Sequence, residues 1–385
     1  MFMANSRTKI SSSPPLSVLH LIEDLDQGGA EKVLVNLISG LNRGSFSPLV
    51  CCLRHQGALA AELQARGIPV VALHKKAGID VGLLGRLQQL LRTHRVTIVH
   101  SHVFTANLWG RLASLLAGVP VRISHEHSTF TVDDRLRRRI ERVLAPHTSR
   151  IIAVSEQLRG RLLRECRLPA EKVVTIHNGL RLPLTRNQPR QTELVRELGL
   201  ERFSHLVGAV GRLEPRKNFP LLLQAMAIVL QEFPQAGLLL VGAGPESERL
   251  QQEAARLGLR EQVVFAGQRN HAHELLPVLA VFCLPSQTEG ISMAILEAMA
   301  VGVPVVATAV GGNPEIIPEP RYGLLVPAGE VNALAAALLE TLRDRTAAQS
   351  RVQAAQKFVQ KHFSAAAMIR KVEQLYVEAL AARRR

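Results

Sequence analysis

Two carboxylates eight residues apart, Glu289 and Glu297, stand alone in an otherwise uncharged stretch from Pro285 to Met299. The apolar run Val281–Leu284 before them reads as a buried strand, and a short polar loop carries Glu289. A helix carrying Glu297 should begin near Ile291 and stop at Gly302, ahead of Pro304. That spacing is about two helical turns and brings Glu297 close to the loop. The helix start, Gly290, Ile291 and Ser292, offers unpaired N–H groups and a positive dipole end, which is an anion site. A phosphate pocket flanked by two acceptor carboxylates suits a nucleotide sugar, whose ribose and sugar hydroxyls they would take. Spacing alone fits another reading equally well: Glu297 on a solvated helix face and Glu289 as an acid favoured by the dipole.

A second group follows the strand Leu206–Val210. There Gly211-Arg212-Leu213-Glu214-Pro215-Arg216-Lys217-Asn218 carries Arg212 and Lys217 on a glycine turn, a forked donor and a point charge suited to clamp a diphosphate. In the first half, Ser17–Ile22 leads through Gly28-Gly29 into a helix from about Ala30 to Leu41. Such a turn brings backbone close to a ligand at a strand's carboxyl end, although Gly-Gly before a helix is also an ordinary turn. His100 and His102 follow an expected strand Thr97–His100, and His125 and His127 follow Val121–Ser124. The four imidazoles fit contacts to a sugar, hydrogen-bonded loop residues, or a metal site to which only Glu126 would add an acid. Gly242-Ala243-Gly244-Pro245 lacks the third glycine of a dinucleotide fingerprint and reads as a turn.

These residues need a scaffold that delivers them to strand ends. Short apolar runs alternate with helical patterns from residue 17 to 177 and again from 205 to 326. This is the signature of parallel sheets covered on both faces, with binding residues past the carboxyl ends. The expected domains are residues 1–190 and 191–362, joined by the proline-containing stretch Arg181–Arg190 and followed by a last helix in 363–385. A chain of 385 residues is long enough for two such cores.

Charge is uneven. Residues 1–190 hold 27 Lys and Arg against 13 Asp and Glu, and the remainder is nearly balanced at 20 against 19. The most basic stretch, Asp133 to Leu144, places Arg135, Arg137, Arg138, Arg139 and Arg142 around an apolar stripe of Leu136, Ile140, Val143 and Leu144. The stripe should pack on the sheet, and the arginines suit an anionic membrane surface or an acidic acceptor. The four cysteines show no Cys-x-x-Cys spacing, which fits buried thiols in a reducing compartment. Met1 to Pro15 has no apolar segment of signal-peptide type, and no run reaches the ~18–20 apolar residues of a spanning helix. The expectation is a cytoplasmic protein, soluble or peripheral on the inner membrane face.

Glu289-x7-Glu297 resembles the paired-glutamate motif of family-four (group 1) glycosyltransferases, and Gly211-Arg212-Leu213 with Lys217-Asn218 resembles that family's pyrophosphate-binding pattern. Gly28-Gly29-Ala30-Glu31, His177-Asn178-Gly179 and Gly311-Gly312-Asn313-Pro314-Glu315 are similar to further family turns, so the resemblance spans nearly the whole chain. It implies a GT-B fold, two doubly wound Rossmann-like domains with an interdomain cleft and a last helix crossing back to the first. It also implies retaining, front-face transfer from a UDP- or GDP-linked sugar to a glycan, lipid-linked or small-molecule acceptor, with no cofactor and no obligatory metal. In that reading Arg212 and Lys217 stabilise the leaving diphosphate, Glu289 holds the donor sugar and Glu297 the ribose. Gly28 and Gly29 face the phosphates, and His127, or else His125, lines the sugar site. Arg269, in Gly267-Gln268-Arg269-Asn270, lies where the base is met. Surface polysaccharide assembly is a fitting pathway.

Three alternatives fit parts of the sequence. A GT-B epimerase or phosphorylase would need proton-abstracting acids or a pyridoxal-binding lysine, neither of which stands out. A dinucleotide oxidoreductase would need the missing Gly-x-Gly-x-x-Gly. A basic non-enzymatic binder of membrane or nucleic acid explains the charged first half but not the four charged residues Arg212, Lys217, Glu289 and Glu297 together.

Overall fold

The computed structural model describes residues 14–26, 28–184, 188–269 and 272–384. Expectations that rest on residues 1–13, Asn270 or Arg385 lie outside these. Two all-parallel sheets carry the chain. The first contains β1 (Leu16–Ile22), β2 (Phe46–Cys52), β3 (Val70–Ala72), β4 (Ile98–His102), β5 (Val121–Glu126), β6 (Arg150–Ala153) and β7 (Val173–Thr175), in the order β3-β2-β1-β4-β5-β6-β7. The second contains β8 (His205–Val210), β9 (Ala236–Val241), β10 (Val263–Gly267), β11 (Val281–Leu284), β12 (Val305–Thr308) and β13 (Leu324–Val326), in the order β10-β9-β8-β11-β12-β13. Each sheet reverses its winding once, between β1 and β4 and between β8 and β11. In doubly wound sheets such a reversal is where ligand crevices form, beyond the carboxyl ends of those strands.

The strands are short Val-, Leu- and Ile-rich runs buried on both faces by helices, the composition a parallel sheet requires. The largest apolar cluster is shared: it contains Val18 and Ile152 of the first sheet, Phe282 and Val305 of the second, and Tyr376 of the last helix. All four cysteines are free and buried.

The last helix, Ala365–Arg384, packs on the first domain. Ile369 closes over Gly40, where a side chain would put a Cβ only 2.3 Å from Ile369 Cδ1. Asn42 N–H donates to Glu373 Oε1 at 2.7 Å. The outgoing and returning chains meet as a small parallel bridge, Leu180 beside Ser364, with Leu180 N–H donating to the Phe363 carbonyl at 2.7 Å and Ala365 N–H to the Leu180 carbonyl at 2.9 Å. The segment between the domains is not all linker, because a helix, Gln188–Glu197, starts within it and buries Leu194.

The basic stretch departs from expectation. It forms a helix, Arg135–Leu144, capped by Asp134, which accepts from Arg137 N–H. Its inward face is set by a charge rather than the apolar stripe. Arg111, in the helix Val103–Leu116, grips Glu141 with both terminal nitrogens, and both side chains are enclosed. With Glu141 and Leu144 turned inward, Leu136 and Val143 are left 66% and 70% exposed.

Candidate active site

The helix Gly29–Gly40 starts directly after the Gly28 turn, and the helix Met293–Val301 starts after Ser292, whose hydroxyl accepts from Ile295 N–H. Their first turns face each other: a Cβ on Gly29 would lie 3.8 Å from Met293 Cγ. Two positive helix ends therefore converge from opposite domains, with first-turn N–H groups that have no partner in their own helix. Gly290 is wedged beneath. Its missing side chain would come within 2.2 Å of the His127 carbonyl, and its own carbonyl accepts from Gly312 N–H at 2.8 Å. Ile291 and Ser292 are buried beside it.

The Arg212–Lys217 loop lies against the glycine turn after β9. Gly242 has φ +146, and a Cβ there would overlap the Gly211 carbonyl, while one on Gly244 would lie 2.3 Å from the Leu213 carbonyl. The Gly-x-Gly-Pro turn thus acts as a bed for the cationic loop. Gln287 N–H donates to the Arg216 carbonyl at 2.8 Å, fastening that loop to the one that carries Glu289. Lys217 Nζ reaches Glu289 Oε1 at 2.6 Å, and Ser286 Oγ donates to the same oxygen at 2.7 Å. Arg212 is exposed. A cationic loop, a helix start and the two glutamates are thereby assembled in the second domain.

Glu297 is nearly enclosed, and its partner comes from the other domain: Lys32 Nζ donates to Glu297 Oε1 at 3.0 Å. Glu31, beside Lys32, turns back over Gly28. Burial lifts its carboxyl to about 7, with Asp24 and Asp26 adding to the rise and Arg212 opposing it. Lys32 did not emerge from the motif reading, which named Glu31 only as the end of the Gly28-Gly29-Ala30-Glu31 turn. The available signal was a lysine in the first turn of a helix, where the dipole disfavours a cation and a partner must lie elsewhere.

The histidines differ from expectation in position. β4 and β5 run two residues further than the apolar pattern indicated, so His100, His102 and His125 lie within strands and only His127 lies beyond. Their neutral rings can continue the strands because they stack along them: His100 on His102 at 4.3 Å and His125 on His127 at 4.1 Å between centroids. A fifth, His20 of β1, pairs in register with His100. Two chains of hydrogen bonds run through them: Tyr376 Oη to His100 Nδ1 (2.7 Å) and His100 Nε2 to His125 Nδ1 (3.3 Å), then His20 Nδ1 to His102 Nε2 (3.3 Å) and His102 Nδ1 to His127 Nε2 (3.0 Å).

A neutral imidazole has one N–H and one lone pair, so the chain ends stay unmatched, at His20 Nε2, His125 Nε2 and His127 Nδ1. Burial drives His20 and His127 down to about 3, and burial together with the neighbouring imidazoles depresses the other three strongly. Nitrogens of His20, His100 and His102, and of His102, His125 and His127, come within 4.8 Å of one another. These two triads are close enough to share an ion, and the same rings also stack on one another. Glu126 does not join them: strand alternation turns it to Asn107 (2.6 Å) and Thr131 (2.7 Å), and burial, reinforced by Glu141, lifts it to about 7.

Two further placements matter. Arg269 donates through Nε to the Ala266 carbonyl and pairs with Glu197 at 2.8 Å, so its guanidinium is already engaged. The His177-Asn178-Gly179 turn, which reads in sequence as a simple turn, ties the domains: His177 Nε2 lies 2.7 Å from Glu315 Oε2. Thr129 and Thr288 hydroxyls make a second tie at 2.8 Å. A cavity of about 500 Å³ opens beside His205, Ala280 and Pro304, at the opposite ends of β8, β11 and β12, away from these groups.

Two doubly wound domains facing across a cleft, with a cationic loop and paired glutamates on the second, define a GT-B glycosyltransferase. Residues 191–358 match the family described as Glycosyl transferases group 1, and residues 27–182 match Glycosyltransferase Family 4. The chain belongs to the group 1 glycosyltransferases. It is 26% identical to the UDP-Gal:alpha-D-GlcNAc-diphosphoundecaprenol alpha-1,3-galactosyltransferase of Escherichia coli, over 78% of this chain and 80% of that one. It is 30% identical to the D-inositol 3-phosphate glycosyltransferase of Corynebacterium efficiens, over 74% and 72%. Among solved structures, Anabaena Alr3699/HepE in complex with UDP and glucose matches with a TM-score of 0.85 and 25% identity, covering 94% of this chain and 99% of that one.

Proposed function

We propose that the protein moves a sugar from a nucleoside-diphosphate donor to a glycan or lipid-linked acceptor with retention of anomeric configuration, and that no metal or cofactor is needed. The observation that carries this is the convergence of Arg212, Lys217 and the Met293 helix start with Glu289 and Glu297, opposite the Gly28–Gly29 turn. Positive charge and N–H groups placed where the diphosphate departs stabilise the charge that develops as the glycosidic bond breaks. Such cations do what a divalent ion would do for the leaving group. Glu289 takes the donor sugar's hydroxyls and Glu297 those of the ribose, fixing the sugar for attack. The acceptor's proton passes to the departing phosphate, so no side-chain base is required, and His127 packs against the sugar. UDP is favoured over GDP as the nucleotide because the Anabaena neighbour holds UDP; Arg269 and the backbone around it would meet the base.

The exposed face of the basic helix supports peripheral attachment to an anionic membrane. Arg135, Arg139 and Arg142 flank the exposed Leu136 and Val143, a mixed cationic and apolar surface. No helix among the described residues is long and apolar enough to cross a membrane. A lipid-linked acceptor would be met at such a surface.

A thermal-shift panel of UDP, GDP, ADP and their sugars tests the donor site, on wild type and Glu297→Ala. Ligand at ~100 times its dissociation constant adds about 2.7 kcal/mol of stability. One base should shift the wild type and lose its effect in the variant, and the product's anomeric configuration by NMR then tests retention. No shift with any nucleotide would leave the basic binding protein as the reading.

A further inference from the structure

We propose that Lys32 is a positioning residue for the donor's ribose: it reaches across the cleft to hold one oxygen of Glu297, leaving the other to accept the ribose hydroxyls. The inference rests on the assignment of Glu297 to the ribose.

Four observations support it. First, Lys32 sits in the opening turn of the Gly29–Gly40 helix, where the dipole works against a cation. Its placement is compensated by Glu297, 265 residues away in the opposite domain. Second, the glutamate is the more enclosed member of the pair, its side chain 7% exposed against 33% for the lysine. A carboxylate withdrawn from water needs a cation or donors close by. Third, Oε1 is the oxygen the lysine uses. Oε2 has no hydrogen-bond partner among the described residues, and it is not among the enclosed unpartnered atoms, so it keeps some exposure. An ionised carboxylate with one oxygen anchored and one free is a fixed acceptor for vicinal hydroxyls. Fourth, the other cationic pair of the site is built differently. Lys217 and Glu289 belong to one domain and are held together by Ser286 and the Gln287–Arg216 bond whatever the other domain does. The Lys32–Glu297 pair exists only when the two domains stand together.

The consequence is a division of labour. The second domain alone can bind a diphosphate, whereas recognition of the ribose is complete only with the first domain in place. Ribose binding and cleft closure are then two readings of one equilibrium.

The test compares UDP with 2′,3′-dideoxy-UDP by calorimetry, with GDP and its dideoxy analogue in parallel, on wild type, Lys32→Ala, Lys32→Arg and Glu297→Gln. The wild type should prefer the ribonucleotide by about tenfold or more, the scale of a charge-assisted hydrogen bond. Lys32→Ala should lose most of that preference while its affinity for the dideoxy analogue changes less than about twofold, and Lys32→Arg should restore it, because the charge and a donor return. Glu297→Gln should lose the preference as well. A general loosening of the fold would weaken both analogues alike and would not be rescued by arginine, and that pattern overturns the proposal. So does a Lys32→Ala protein that discriminates like wild type, or one that binds UDP more tightly, which would make the lysine an obstacle. A wild type that binds UDP and its dideoxy analogue equally would remove the ribose from Glu297 itself. That failure belongs to the underlying reading and is visible before any variant is examined.

Discussion

His177 of the first domain lies 2.7 Å from Glu315 of the second, and the same carboxylate accepts the N–H groups of Glu156 and Gln157 at 2.9 and 3.0 Å. Glu315 therefore caps a helix of the opposite domain, alongside that helix's own Ser155 cap. Burial opposes its charge, but the bonds from His177 and the two N–H groups prevail and hold its carboxyl below the usual range. A depressed acid contributes stability above its unfolded pKa, near 4.5, and loses it as pH falls further. Glu315→Ala should cost about 1–3 kcal/mol, read by urea melts at pH 7, and the cost should shrink below pH 4.5. The donor's KM should rise as well, because the domains lose a tie.

Arg212→Ala should separate chemistry from stability. The side chain is exposed, so the melting free energy should move by no more than about 0.5 kcal/mol. Transfer should fall by about 10²–10³-fold, the usual loss when one donor to a developing charge is removed. Lys217→Ala should match that loss and also destabilise, because it leaves the enclosed Glu289 with Ser286 and no cation.

Glu141→Ala should cost about 3–5 kcal/mol by leaving the Arg111 guanidinium buried and unpaired. The double change Arg111→Met with Glu141→Leu should recover most of that, a comparison made by denaturant midpoints. Glu141→Ala would also free the basic helix to turn its apolar stripe inward.

Arg139→Glu with Val143→Asp should leave the melting temperature within about 2 °C, since both side chains are exposed. Binding to vesicles containing phosphatidylglycerol, followed by sedimentation, should drop at least tenfold, and wild-type binding should weaken with salt. Equal sedimentation of both proteins would remove the membrane from the account.

The buried histidines set a pH response whose sign can be worked out. Their folded pKa values lie below the unfolded 6.5, so their contribution is complete above about 6.5 and is lost as pH falls toward 3. Glu31 and Glu126, raised to about 7, act oppositely and favour folding as pH drops from 7 to 4.5. At pH 5.5 the five buried imidazoles take up protons on unfolding while the two carboxyls release theirs, and the more numerous histidines leave a net uptake. Stability should therefore fall with acid below pH 6.5, and the slope of unfolding free energy against pH measures the count.

Both sheets were legible because parallel strands buried on two faces appear as unbroken apolar runs. The placement of Arg212, Lys217 and Glu289 in loops after strands, and of Glu297 on the helix after β11, could be read from spacing because strands and turns there have clear sequence signals. The basic helix misled because apolar spacing says nothing about what waits on the other side, and an Arg111 already buried there drew Glu141 inward. β4 and β5 appeared too short because histidine looks polar until four other rings surround it. Lys32, Tyr376 and the His177–Glu315 tie escaped for one reason: each has its partner more than 100 residues away, across a boundary that local spacing does not cross.

The Leu180–Ser364 bridge has a mechanical meaning. The chain passes between the domains twice, and at that point the two crossings are bonded side by side, so neither can shift without the other. Rotation of one domain on the other about this joint would carry apart the two helix starts that face each other at Gly29 and Met293, and the Lys32–Glu297 contact would part with them.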